Sequence, residues 1–198
     1  MISRVEIKMK AKEQIKGNIW MLFLVAIIYA VICSAANLIP VVGAFVVVPP
    51  LSLGLIFIYL DVCAKKGVEV GRLFAGFQKM GDAIVLNLLI IIFTFLWSLL
   101  FVIPGIIKGI SYSQSYFILA ENPDMTASEA LNESKRIMDG HKWEYFVLQL
   151  SFLGWTILAS LTFGILFIWL VPYMECTLVN YYHKLVGASL DGDVVVEG

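Results

Sequence analysis

Two ionisable residues lie inside apolar stretches of the chain, where a charge is costly and usually faces a cavity or a partner. Glu175 lies about ten residues into the last apolar stretch, and Lys108 lies near the start of a shorter one. Ser111, Tyr112 and Ser115 follow Lys108 at three- and four-residue spacing, which places them on its face of a helix. We therefore predict that these five residues form an intramembrane polar site. In it, Glu175 and Lys108 approach one another or line a polar cleft.

A purely structural role is the alternative for the same charged residues. Lys108 would extend its amine towards water, and Glu175 would be hydrogen-bonded to neighbouring helices or protonated. Asn87, Gln149 and Asn180 are likewise expected to hold helices together. Interhelical polar contacts of this kind contribute about 0.6 kcal/mol on average.

Motifs of membrane-embedded enzymes are absent from the sequence. It contains neither H-E-x-x-H, which would bind zinc, nor the G-x-S-x-G turn of a serine nucleophile, nor a glycine-rich phosphate loop. His141 and His183 are expected at the edge of the membrane, and Cys33, Cys63 and Cys176 are expected to be small packing residues. We therefore expect no enzymatic activity, no catalytic residues, no cofactor and no metal.

The composition requires an apolar surrounding for much of the chain. Apolar residues make up 60% of the 198 residues, charged residues make up 15%, and the mean hydropathy is +0.88. A soluble domain is about half apolar and about one quarter charged, whereas a membrane-spanning helix needs about 20 apolar residues. The sequence therefore predicts an all-α fold, a polytopic transmembrane helical bundle of about six spans in three hairpins. The expected spans are about 19–36, 43–62, 83–103, 104–120, 145–163 and 165–185, within a membrane domain at 1–187 that precedes a disordered cytosolic tail at 188–198.

The basic residues fix the expected orientation. With six spans, every one of the 14 lysines and arginines except Lys108 falls on one side of the membrane. Because basic loops stay in the cytosol, we predict a multi-pass protein of the cell membrane with both termini cytosolic. The formal net charge of −1 argues against nucleic acid as a partner. The expected partners are the lipid bilayer and other membrane proteins or a second copy of the chain.

Short signals mark the ends of several helices. Thr126 and Glu129 have the spacing of a capping box, with an amphipathic helix expected to follow and to stop at Gly140. The segment 73–77 is expected to lie beside the membrane. A break at residues 104–105 and a turn at Gly164 are expected to separate neighbouring spans. Whether 104–120 crosses fully or re-enters the same side is open.

Several stretches together resemble the family catalogued as domain of unknown function 975. They are the basic start at 10–20, LFAGFQKMGDA at 73–83, FVIPGIIKGISYSQSYFILAENPDMTASEAL at 101–131, SKRIMDGHKWEYFVLQLSFLGW at 134–155 and LVPY at 170–173. The resemblance implies a bacterial cell-membrane protein with several helices. The family is also distantly similar to the membrane domain of some glycerophosphodiester phosphodiesterases. It supplies no established functional residues.

The function that these features favour is a non-enzymatic membrane module with a structural, regulatory or assembly role. A small-solute transporter or channel is the alternative, with a polar site near Glu175 and Lys108. Helices interrupted near the membrane midplane, with polar groups at the interruption, are typical of transporter sites.

Overall fold

All regular secondary structure in the part of the chain that the structure describes is helical. The computed structural model describes residues 3–36, 38, 43–162 and 164–187. Its α-helices, numbered along the chain, are α1 (Arg4–Gln14), α2 (Ile19–Ala36), α3 (Val48–Cys63), α4 (Met80–Leu100), α5 (Val102–Tyr112), α6 (Ser115–Glu121), α7 (Ala127–Ile137), α8 (Lys142–Leu161) and α9 (Phe167–Leu185). A π-helical turn at Gly43–Val47 leads into α3, and a 3-10 helix at Val70–Lys79 leads into α4. The expected tail at 188–198 lies outside the described residues.

The helices form two compact units. The terminal unit comprises Met1–Ile27, Ile58–Val70 and Glu144–Gly198, and the central unit comprises Ile28–Phe57 and Gly71–Trp143.

Four helical segments of the described chain are long and apolar enough to cross a membrane. They are Ile19–Ala36, Phe45–Cys63, Val70–Leu99 and Lys142–Leu161, which correspond to four of the six predicted spans. Only 11% of Ile19–Ala36 is buried within the fold, so its apolar side chains need another apolar surrounding. The remaining predicted spans, 104–120 and 165–185, do not match such a segment. The first is divided between two short helices, and the second contains polar and charged residues.

The chain reverses direction between α4 and α5 a few residues before the predicted break at residues 104–105. Helix α4 ends at Leu100, Phe101 is extended, and α5 begins at Val102. Pro104 therefore lies inside the first turn of α5, where a helix does not need the backbone N–H that proline lacks. The third predicted span, 83–103, therefore extends three residues beyond the end of α4 at Leu100.

Helices α5 and α6 lie antiparallel to α4 along most of its length. Close approaches pair Ser98 with Gly105, Trp97 with Lys108, Thr94 with Gly109, Phe93 with Tyr112 and Asn87 with Tyr116. Beyond the last of these pairs, the Lys79 amine donates to the Asn122 carbonyl at 3.1 Å. From Ser98 back to Lys79 the helical rise is about 28 Å, so this hairpin has nearly the thickness of a bilayer core, about 30 Å.

Two glycines allow α3 and the 3-10 helix to approach closely within the central unit. A methyl group added at Gly54 would lie 1.8 Å from the Leu73 carbonyl oxygen, and one at Gly76 would lie 1.9 Å from the Pro50 carbonyl oxygen. The backbones therefore touch without intervening side chains. The aromatic segment expected beside the membrane forms part of this 3-10 helix, with Phe74 and Phe77 exposed.

Helix α7 begins and packs as its sequence predicts. Thr126 and Glu129 make both hydrogen bonds of the capping box, and the hydrogen bonds to Glu129 lower the pKa of its carboxyl below the usual value of 4.5. Its apolar face is buried in the central unit, at Ala127, Ala130, Leu131, Ser134 and Met138. Gly140 follows with a φ of +78°.

Helices α8 and α9 form an antiparallel pair in the terminal unit. The predicted turn is present, since Gly164 has a φ of +85°. Aromatic contacts then run back along the pair, joining Trp155 to Trp169, Phe152 to Tyr173 and Tyr145 to Tyr181.

Candidate functional site

An interrupted helix is the main polar feature of the central unit. Helix α5 ends at Tyr112 and α6 begins at Ser115, which frees backbone groups that an unbroken helix would satisfy. Two of these groups bind the Ser134 hydroxyl of α7, which donates to the Ser111 carbonyl at 2.8 Å and accepts from the Gln114 backbone N–H at 3.2 Å. One hydroxyl from a neighbouring helix therefore stabilises the interruption.

Polar side chains at the interruption are buried, and part of their hydrogen-bonding capacity is unused. The Gln114 amide donates to the Ser113 hydroxyl at 2.8 Å. Among the described residues, however, the Gln114 Oε1 and the Ser115 hydroxyl have no hydrogen-bond partner. Both residues are fully buried. Unsatisfied groups of this kind can bind a water molecule or a small polar solute.

The predicted site residues of α5 and α6 lie beside this interruption. The Lys108 amine lies 4.7 Å from the centre of the Trp97 ring, and the Tyr112 ring lies 6.3 Å from that of Phe93. Ser111 donates within its helix to the Ile107 carbonyl at 2.8 Å. Ser115 follows the break. Their joint role as a polar site stays a prediction.

Glu175 belongs to the other unit, in α9. It is partly exposed and lies close enough to Tyr59 for the two side chains to interact electrostatically. Cys176, the next residue, accepts a hydrogen bond through its carbonyl from the Cys63 thiol at 3.9 Å. Because Lys108 is in the central unit and Glu175 in the terminal unit, their predicted approach stays a prediction.

A buried hydrogen-bond network connects three helices of the terminal unit. Asn180 of α9 donates to the Gln14 side chain at 2.7 Å and to the Ile7 carbonyl at 3.3 Å. Gln14 of α1 in turn donates to the Cys63 carbonyl at 3.1 Å, at the end of α3. The expected role of Asn180 in holding helices together is therefore confirmed.

The other two amides expected to hold helices together differ from one another. Asn87 accepts a hydrogen bond from the Tyr116 hydroxyl at 3.3 Å and so connects α4 to α6. Gln149 instead donates to Tyr145, one turn earlier in its own helix, and its expected interhelical role is wrong. A lone amide in an apolar stretch does not reveal which helix lies opposite.

Several residues of these sites are missed by sequence reasoning. Gln114 and Ser134 attract no attention as single polar residues, and only the helix break makes them partners. Gln14 had a usable signal, since it shares a helix face with Ile7 and Ala11. Within the described ranges, no group of three or more His, Cys, Asp or Glu side chains could hold a metal ion.

The arrangement defines a class of protein: a helical protein with membrane-spanning candidates and buried polar sites between helices. A family model described as protein of unknown function (DUF975) matches residues 99–189, which include both the interrupted helix and the α8–α9 pair. This match confirms the family resemblance over the C-terminal part of the chain. The comparisons with curated proteins and with solved structures found no match, and the distant similarity to the phosphodiesterase membrane domain stays a prediction.

Proposed function

We propose that the chain is a multi-pass protein of the cell membrane that crosses the bilayer six times, in three antiparallel hairpins with both termini cytosolic. The contact of α5 and α6 with α4 along its length carries this proposal. If α4 spans the bilayer core, the chain returns through the same depth and brings Asn122 back to the level of Lys79, at 3.1 Å. The α8–α9 pair supports the last hairpin in the same way.

Labelling of single cysteines distinguishes six crossings from four. In a variant without Cys33, Cys63 and Cys176, reporters are placed by Phe101→Cys at the hairpin tip and by Asn132→Cys on the exposed side of α7. With six crossings, an impermeant maleimide added to intact cells labels position 101 but reaches position 132 only after permeabilisation. Labelling of both positions from outside would mean that α5 and α6 do not cross, which contradicts the proposal.

Within the membrane, the proposed role is structural, regulatory or assembly-related and involves no enzymatic step. The buried amides of the terminal unit support it, because Asn180 and Gln14 are used to join α1, α3 and α9 to one another. Polar groups that are hydrogen-bonded between helices hold those helices in place. The partners proposed for such a module are the bilayer, other membrane proteins or a second copy of the chain.

A small-solute transporter or channel is a second candidate, favoured by the interrupted helix. Two polar groups there, the Gln114 Oε1 and the Ser115 hydroxyl, are buried without a partner in the described part of the chain. Interrupted helices with unpaired polar groups are a recurrent feature of transporter sites.

Vesicle flux separates the two candidates. The purified chain is reconstituted with a trapped pH-sensitive or potassium-sensitive dye, beside empty vesicles and vesicles that contain the Gln114→Leu or Glu175→Gln variant. The structural role predicts no proton or potassium flux above that of empty vesicles. Flux that either variant abolishes would contradict the structural role and assign the transported ion to the altered site.

A further inference from the structure

The Ser115 hydroxyl lacks the acceptor that several other helical hydroxyls of this chain use. Those hydroxyls donate to the carbonyl four residues earlier, as at Ser111, Thr156, Ser160 and Thr177. For Ser115 the corresponding carbonyl is that of Ser111, which accepts from Ser134 at 2.8 Å. The Ser115 hydroxyl is therefore buried without a hydrogen-bond partner in the described part of the chain.

The Gln114 side chain adds a second unused oxygen. Its amide nitrogen donates to the Ser113 hydroxyl at 2.8 Å, whereas its Oε1 is buried and accepts no hydrogen bond from the described residues. Ser115 follows it directly in the chain. Leaving buried acceptors empty is unfavourable, so the fold gains stability from a ligand that supplies positive charge to both oxygens.

The interruption between α5 and α6 also places backbone oxygens beside these side chains. The last four carbonyls of a helix have no N–H group from a following turn. In α5, the Ser113 N–H binds the Ile110 carbonyl and Ser134 binds the Ser111 carbonyl, and the remaining carbonyls of this turn lie at the interruption. Carbonyl oxygens at interrupted helices are the groups that coordinate Na⁺ in many transporters.

The charged residues nearest to Ser134 along α7 are occupied by other partners. Glu133 accepts from the Arg136 guanidinium at 2.8 Å, and the Lys135 amine donates to Asn132 at 3.0 Å on the exposed side of α7. The groups identified at the interruption are therefore neutral oxygens. Such a set favours a singly charged ion, because Ca²⁺ and Mg²⁺ sites are built on carboxylates.

We propose that the interruption between α5 and α6 binds a monovalent metal cation, Na⁺ or K⁺. The ligands are the Gln114 Oε1, the Ser115 hydroxyl and carbonyl oxygens at the end of α5. Ser134 is a positioning residue, because its hydroxyl occupies the Ser111 carbonyl and so keeps the Ser115 hydroxyl free for the ion. The inference rests on the polar site of the second candidate function and names its ligand.

Helix α7 provides the path by which the ion reaches this site. The interruption lies near the middle of the hairpin that α4 forms with α5 and α6, and α7 packs over it through Ser134. The opposite face of α7 carries Glu129 and Arg136, which are exposed. Because charged side chains need water, water reaches this face, and one helix diameter of about 10–12 Å separates it from the site.

The experiment follows the thermal midpoint of unfolding of the purified chain in a neutral detergent. Sodium, potassium and choline chloride are compared at equal ionic strength. We expect the midpoint to rise to a plateau with the metal ion that binds and to respond much less to choline, which is too large for the buried site. Gln114→Leu should need about tenfold more of that ion, the change expected from the loss of one polar contact.

The Ser115→Ala variant gives the sharpest result, because its effect should change sign with the salt. In choline chloride it removes a buried hydroxyl that has no partner, so its midpoint should equal or exceed that of the unaltered chain. In the chloride of the bound metal ion it removes a ligand, so its midpoint should fall below that of the unaltered chain. An equal loss of stability in both salts would mean that the hydroxyl has another partner and would overturn the proposal.

Ser160→Ala is the matched control, because it removes an exposed hydroxyl that donates within its own helix. It should respond to each salt as the unaltered chain does. A metal-ion response that persists in both Gln114→Leu and Ser115→Ala would place the ion elsewhere and overturn the proposal.

Two outcomes separate this site from the proposed functions. If the unaltered chain has the same midpoint in all three salts, the interruption holds an ordered water only, and the cation site is wrong whether or not the variants fold. The six-crossing topology would still stand in that case. Specific ion binding without flux in the vesicle assay would support the cation site and contradict the transporter candidate.

Discussion

The substitution Ser134→Ala tests whether the Ser134 hydroxyl stabilises the interruption between α5 and α6. It removes the hydroxyl that donates to the Ser111 carbonyl and accepts from the Gln114 backbone N–H. Each buried polar group left without a partner costs about 1–3 kcal/mol, which gives a range of about 2–6 kcal/mol for the two groups. The measured cost is expected near the lower end of this range, because polar groups also find partners in the unfolded state, and interhelical hydrogen bonds in membrane proteins contribute only about 0.6 kcal/mol on average. We therefore expect the free energy of unfolding to fall by about 2 kcal/mol.

The assay is unfolding of the purified chain in mixed detergent and sodium dodecyl sulfate, followed by tryptophan fluorescence. Ser128→Ala is the matched control, because Ser128 is an exposed residue of the same helix and the change in helix propensity is the same. Ser134→Thr retains a hydroxyl and should recover part of the lost stability. If Ser134→Ala and Ser128→Ala differ by less than about 0.5 kcal/mol, which is the level of an ordinary surface substitution, the Ser134 hydroxyl does not stabilise the helix interruption.

Three further predictions concern other parts of the fold. Gly76→Ala should destabilise the chain by about 1–3 kcal/mol, as overpacking does, because the new methyl group would lie 1.9 Å from the Pro50 carbonyl oxygen. The control Gly81→Ala adds a methyl group with no atom within 4 Å and should be neutral or stabilising, so equal losses in the two variants would contradict the close approach. Asn180→Ala should remove the hydrogen bonds to the Gln14 side-chain oxygen and to the Ile7 carbonyl and so speed hydrogen exchange of the α1 amides. Asn132→Ala on the exposed side of α7 should leave that exchange unchanged, and protection of α1 that persists in Asn180→Ala would mean that Asn180 does not hold α1 in place. For Glu129, hydrogen bonds from Thr126 lower the pKa of the carboxyl below 4.5, so its contribution to stability is complete above that pH and is lost as the pH falls through the lower folded value. The thermal midpoint measured from pH 6 to pH 3 should therefore fall less in Glu129→Gln than in the unaltered chain, and identical profiles would show that the capping carboxylate has no such effect.

The amino-acid sequence is sufficient to predict which segments are helical and apolar and where several of them begin or end. The four apolar segments, the capping box at Thr126 and the turn at Gly164 all depend on transfer free energy or on hydrogen bonds between near neighbours. All the residues that produce such a signal lie within one short stretch of sequence. The buried face of α7 could be predicted for the same reason, since its period comes from the helix itself.

The pairing of polar groups on different helices, by contrast, depends on how the helices pack. Ser134 meets the interruption at Gln114 from 20 residues away, and Asn180 meets Gln14 from 166 residues away. The docking of α1, which places Lys8 and Lys12 on aromatic rings of α8 and α9, is of the same kind. A hydrogen bond or a cation over a ring requires a particular distance and direction. No local pattern encodes that geometry, so it arises only when the helices have packed together.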